Sequence, residues 1–153
     1  MGGYGGAKGK VKDKCYYDTG GHKVTDKNAI EVGELYIKEG KYVAFLQERP
    51  PQHRADLSVE GIHIEVKGLS TLKPDTIKER IIHAVIQIRG DDYRYPPETH
   101  RQGKVIILSK HKKNIPDNTL LSAMNEGLRR AKLEHSINEI VEVWIGNRHI
   151  RIN

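Results

Sequence analysis

The stretch Arg54–Gly68, RADLSVEGIHIEVKG, decides the fold. Ala55, Leu57 and Val59 alternate with polar residues, and so do Ile62, Ile64 and Val66. Period-two alternation is the pattern of half-buried strands. Glu60-Gly61 lies between the two runs, where a two-residue hairpin turn needs positive φ. With that turn, Val59 faces Ile62, Ser58 faces His63, Leu57 faces Ile64 and Asp56 faces Glu65. Apolar residues then pair with apolar residues, which favours this register over a slipped one. Lys67, two positions after Glu65, projects to the same polar face.

Two carboxylates opposed on one face of a sheet repel each other. A divalent cation between them removes that cost, because hard cations take carboxylate oxygens. A lysine beside such an ion orients water or offsets negative charge gathering on a phosphate. The same residues also fit an ordinary amphipathic hairpin with its charges in solvent.

Upstream, Asn28–Gly40 reads as a helix capped by Asp26 or Asn28, with an apolar arc of Ala29, Ile30, Val32, Gly33, Tyr36 and Ile37. Gly40 ends it in the left-handed conformation. Lys41–Gln47 reads as a strand whose nearly continuous apolar run predicts burial on both faces. Pro50-Pro51 interrupts the chain before the hairpin. Downstream, Pro74 opens a helix over Lys73–Arg89, with Ile77, Ile81, Ala84, Val85 and Ile88 at helical spacing. Arg80, His83 and Gln87 form an adjacent polar stripe. Gly90–Gly103 is a long polar loop in which Tyr93, Arg94, Tyr95 and Arg101 suit base stacking and phosphate contact. Lys104–Ser109 is a short apolar strand, central and parallel to a neighbour, followed by the basic run Lys110–Lys113. Asp117–Glu134 is a helix with the stripe Leu121, Met124, Leu128 and Ala131. Glu139–Ile145 is a strand that turns at Gly146-Asn147 into an edge strand over Arg148–Asn153. The order implies an α/β fold, a mixed central sheet flanked by helices on both faces.

The whole chain sets limits. Its 153 residues suit one domain, and 37% hydrophobic content suits one modest core. Residues 1–27, rich in glycine and alternating lysine, read as a flexible segment before a folded domain over 28–153. No apolar run approaches the ~20 residues needed to span a bilayer. The opening has no secretory signal pattern, as expected of a module from a larger protein. Cys15 stands alone, so there is no internal disulfide framework and no cysteine zinc cluster. A net charge of +6 and a pI near 9.4 suit a polyanionic partner.

Asp56 followed by Glu65-Val66-Lys67 resembles the D-x(n)-E-x-K motif of the PD-(D/E)xK nuclease superfamily, with Ala55 where the proline is usually written. The resemblance covers about residues 28–110. In style it is similar to the C-terminal toxin domains of contact-dependent growth inhibition proteins and related polymorphic toxins. It implies a restriction-endonuclease-like core and metal-dependent phosphodiester hydrolysis, with Asp56, Glu65 and the backbone carbonyl of Val66 as ligands. Lys67 would be catalytic. Glu31 on the first helix would complete the carboxylates, with Glu34 as the fallback. The metal would be Mg²⁺ or Mn²⁺, with Zn²⁺ as the alternative. Arg80, His83, Gln87, Arg94 and Arg101 would contact nucleic acid. The implied substrate is RNA, tRNA first, with a toxin DNase or a restriction or repair endonuclease as alternatives. A toxin of this kind would be secreted or displayed at the cell surface, act in the target-cell cytoplasm and have a cognate immunity protein as partner. From a different class, a non-catalytic basic nucleic-acid-binding module would retain affinity without metal dependence.

Overall fold

The computed structural model describes residues 10–12, 15–18, 23–46, 55–90, 103–110, 115–134 and 140–153. Along them run strands β1 (Lys10–Lys12) and β2 (Cys15–Asp18), helix α1 (Lys27–Lys38) and strand β3 (Tyr42–Phe45). Then come the hairpin β4 (Leu57–Val59) and β5 (Ile62–Leu69), helix α2 (Pro74–Gly90) and strand β6 (Gly103–Ser109). Helix α3 (Asp117–Glu134) and strands β7 (Ile140–Ile145) and β8 (Arg148–Ile152) complete the order. The strands form one mixed eight-stranded sheet whose spatial order is the chain order. β5, β6 and β7 are parallel neighbours, joined through α2 and α3.

Alternation along the strands separates two cores. In β6, Val105 and Ile107 join α2 and α3 residues such as Ile77, Ile81, Leu120 and Met124. Ile106 and Leu108, one position on, join α1 residues such as Ile30 and Val32. Successive strand residues point to opposite faces, so α1 covers one face and the α2–α3 pair the other. The crossovers through α2 and α3 fall on one face, as expected when successive parallel strands are added in one direction by right-handed connections, while the β2–α1–β3 crossover runs on the other.

The helices form where sequence expects them. Asp26 caps α1, accepting from the N–H groups of Asn28 at 2.9 Å and Ala29 at 3.1 Å. Gly40 ends it with φ +83°. Gly33 lets α1 lie close on β3, since a Cβ there would sit 2.6 Å from Phe45 Cζ. In α3 the buried stripe runs through Leu120, Ala123, Met124, Leu128 and Ala131. Leu121, read from sequence as part of it, is only half-buried.

The hairpin register is as derived: Leu57 faces Ile64, Ser58 faces His63 and Val59 faces Ile62. Glu60 and Gly61 both take positive φ, +50° and +86°, the combination a type I′ turn requires. Glu60 Oε1 also accepts from the Tyr42 N–H at 2.9 Å, tying the turn to β3. Three details differ from expectation. The chain bends at Asp56, so Ala55 leaves the face of Leu57 and Val59 and packs into the α2–α3 core. β3 is not buried on both faces: Val43 and Phe45 are buried, Tyr42 and Ala44 half-buried. Within residues 1–27, read from sequence as a flexible segment, β1 and β2 extend the sheet, with β2 parallel to β3.

A buried polar group on the α1 face is fully partnered. Glu142 of β7 accepts from Lys104 Nζ at 2.6 Å and from Trp144 Nε1 at 2.8 Å, and Lys104 also donates to the Tyr36 hydroxyl at 2.8 Å. Burial works against the Lys104 ammonium, but these bonds outweigh it and hold its pKa above the usual lysine value.

Gly127 marks the α2–α3 contact, where a Cβ would come within 3.2 Å of the Lys78 Cα and carbonyl oxygen. Because the obstacle is backbone, Gly127→Leu is expected to force the helices apart and destabilise the fold by about 1–3 kcal/mol, read as a lower urea midpoint.

Candidate functional site

β4 and β5 bring Asp56, Glu65 and Lys67 together on the sheet face opposite α1. The β4–β5 ladder begins at Leu57, leaving Asp56 in the bend before it. Its backbone carbonyl accepts from the Leu46 N–H at 2.9 Å. Its side chain turns across to β5, where Oδ2 accepts from the Val66 N–H at 2.9 Å. A carboxylate thus stands where a further backbone pair of the ladder would be.

Glu65 is 2% exposed, flanked in β5 by the buried Ile64 and Val66. Its Oε2 meets Lys67 Nζ at 2.9 Å. Its Oε1 is buried and has no hydrogen-bond donor. Burial, and next the charge of Asp56, push the Glu65 carboxyl up to about 9, against the pull of Lys67. Burial also raises Asp56, partly countered by the Val66 N–H, while the nearby Asp26 adds a smaller upward push. The arrangement is a crowded carboxyl pair with a cation on one side and an unclaimed oxygen.

That donor set fits a divalent cation. A buried carboxylate oxygen without a donor is costly, and a metal ion would satisfy it while neutralising the pair. Mg²⁺ is commonly held by one or two protein carboxylates while keeping several waters, so Asp56 and Glu65 are sufficient anchors. Zn²⁺ favours nitrogen and sulfur ligands, which this oxygen pair does not offer.

The other sequence-derived residues are distributed unevenly. Glu31 is exposed on α1 and Glu34 half-buried. Among the described residues no third His, Cys, Asp or Glu joins Asp56 and Glu65 in a cluster able to hold an ion, so Glu31 stands apart from them. The α1 carboxylate that acts on Asp56 is the cap Asp26. Val66 contributes its N–H to Asp56 and its side chain to the α1 core. On α2, Arg80 and His83 are exposed and Gln87 is half-buried. Arg94 and Arg101 lie outside the described residues.

A groove of about 620 Å³ opens where β5 and β6 end, lined by Asn28, Gly68, Leu69, Ser70, Arg80, Leu108 and Lys110. The parallel strands give it a place that general rules favour for ligands, the carboxyl edge of the sheet. Gly68 directly follows Lys67, and a Cβ there would lie 2.6 Å from the Asn28 carboxamide nitrogen. By sequence Asn28 is a candidate helix cap and Lys110 belongs to a basic run; their meeting depends on the α1 N-terminus lying over β5. Compared with protein-family models, curated proteins and solved structures, the chain matches none.

The raised Glu65 pKa has a defined sign in stability. The unfolded chain loses this proton near pH 4.5, whereas the folded one keeps it to about 9. Between those values folding binds a proton, so metal-free stability falls as pH rises, by up to about 1.4 kcal/mol per pH unit. Glu65→Gln cannot titrate. In EDTA it is expected to unfold at higher temperature than the parent at pH 8, with the gap closing toward pH 4.5. Parallel melting curves for the two proteins across this range would contradict the assignment.

Proposed function

We propose that this domain is a metal-dependent phosphodiesterase acting on nucleic acid, and more narrowly a toxin RNase. The observation that carries the first step is Glu65: a nearly inaccessible carboxylate, beside Asp56 and Lys67, with one oxygen left without a donor. Asp56 and Glu65 would hold Mg²⁺ or Mn²⁺. A bound divalent ion supplies a water of lowered pKa and offsets charge on the phosphate.

The chain's own groups do the remaining work. The Val66 N–H fixes the Asp56 carboxylate, so its position does not depend on side-chain rotation alone. Lys67 is held at Glu65 and half-buried, where a positive charge counts for more than in bulk water. It steadies the attacking water and the negative charge that builds on the phosphoryl oxygens. Arg80 and His83, exposed along α2, would meet the polyanionic backbone, with Gln87 on the same stripe. The net charge of +6 favours that encounter.

The narrower reading rests on the resemblance of Asp56 and Glu65-Val66-Lys67 to the nuclease motif, and not on geometry. It makes the substrate RNA, first tRNA, in the cytoplasm of a target bacterium. The domain would arrive as part of a secreted or surface-displayed toxin and be held inactive at home by a cognate immunity protein. Among the described residues, no helix is long and apolar enough to cross a membrane.

The test is direct. Total cell RNA and plasmid DNA are incubated with the domain in Mg²⁺, Mn²⁺, Zn²⁺ or EDTA. Cleavage of RNA in Mg²⁺ or Mn²⁺ is expected, with none in EDTA. Asp56→Asn, Glu65→Gln and Lys67→Ala should each lower the rate about 100-fold or more while circular dichroism stays that of the parent. Undiminished cleavage in Glu65→Gln, or in EDTA, would overturn the assignment.

A further inference from the structure

We infer that the groove at the carboxyl ends of β5 and β6 receives one unpaired nucleotide next to the phosphate being cut, which makes single-stranded or looped nucleic acid the substrate form. The inference rests on the phosphodiesterase reading for its place beside the reaction, but its evidence is separate.

Three observations carry it. The first is size: about 620 Å³ lies within the roughly 300–1,000 Å³ typical of small-ligand pockets. It is ample for a nucleotide. The second is chemistry. Arg80 and Lys110 supply two exposed cations, and among the described residues neither is engaged by a carboxylate. They suit a phosphate. Leu69 and Leu108, one from each face of the sheet, add apolar lining at its carboxyl edge that suits a base or ribose. Asn28 adds a carboxamide at the wall, able to pair with a base edge. The third is position. Gly68 adjoins Lys67 in β5, and with no side chain it leaves the Asn28 carboxamide lying close over its backbone. Leu69, two positions after Lys67, lies on the same face of β5, so the lining of the groove begins beside Lys67. In a duplex, bases are stacked and paired and cannot turn onto Leu69, Leu108 or Asn28 without being extruded; an unpaired base can.

The experiment separates this inference from the catalytic one. Glu65→Gln protein, used so that the probe survives, is titrated with short fluorescein-labelled oligonucleotides. The probes are single-stranded RNA, single-stranded DNA of the same sequence, and the duplex of each. Anisotropy should report at least tenfold tighter binding of either single strand than of both duplexes. Adding Arg80→Gln and Lys110→Gln together should weaken single-strand binding about tenfold. It should also flatten the log–log salt dependence by up to ~1.4, at about 0.7 per lost phosphate contact. Gly68→Val, which crowds Asn28, should weaken single-strand binding without altering that slope; where it lowers the melting temperature, the charge variants decide. Duplex binding as tight as single-strand binding, or unchanged binding in the double variant, would overturn the groove assignment. If wild-type protein cleaves no polymer yet binds single strands through Arg80 and Lys110, the groove stands and the enzyme reading falls. If it cleaves and the double variant binds as the parent does, the reverse holds.

Discussion

The seven-residue parallel ladder between β5 and β6, from His63–Gly103 to Leu69–Ser109, is the constraint on which the rest depends. It fixes which residues of β5 look to α1 and which to α2. Ile64 and Val66 fill one core and Leu69 the other. Glu65 lies between two buried apolar neighbours and cannot turn to solvent unless they turn too. A slip of one residue would reverse every side chain in the strand. The burial of this carboxyl is therefore imposed by the sheet, and the Asp56 bend adds a second carboxyl where the ladder stops.

Two buried glutamates show what that imposition means. Glu142 has Lys104 and Trp144 on its oxygens, with Tyr36 completing the network. Trp144 in turn stacks on His149 at a centroid distance of 4.1 Å. This is how a polar group becomes part of a core: its hydrogen bonds offset the desolvation cost. Glu65 has Lys67 on one oxygen and no donor on the other, with the Asp56 carboxyl beside it. The fold is able to satisfy a buried carboxylate completely and does so at Glu142. The incomplete shell at Glu65 is thus a local property of the hairpin face and sets the two sites apart chemically.

The hairpin was legible in the sequence because three independent signals agree: alternation on each strand, a Glu-Gly turn and apolar cross-strand pairs. Pro74 and the spacing from Ile77 to Ile88 made α2 equally plain. The misreadings share a cause. Ala55 continues the alternation, but a bend at Asp56 reverses its face, and bends leave no period-two trace. Leu120 and Leu121 both fit a helical stripe, and the α2 contact at Gly127 decides between them. Lys10–Lys12 and Cys15–Asp18 carry no apolar periodicity, and their strand form shows only in pairing, β1 on β2 and β2 on β3. Asp56, Glu65 and Lys67 share one strand pair, so local register could align them. The groove is assembled from α1, α2 and the ends of two strands, and only the tertiary fold brings those together.

Strand order along the sheet repeats strand order along the chain, from β1 to β8 without exception. No strand has to be inserted between two already paired, so the sheet can grow by accretion at its margins. Each addition closes only the loop to its nearest predecessor, where the entropy of closure is smallest. The β4–β5 hairpin at the centre closes locally, while β6 and β7 are reached through helical crossovers. The carboxyl pair resides in the middle of that order, away from both margins.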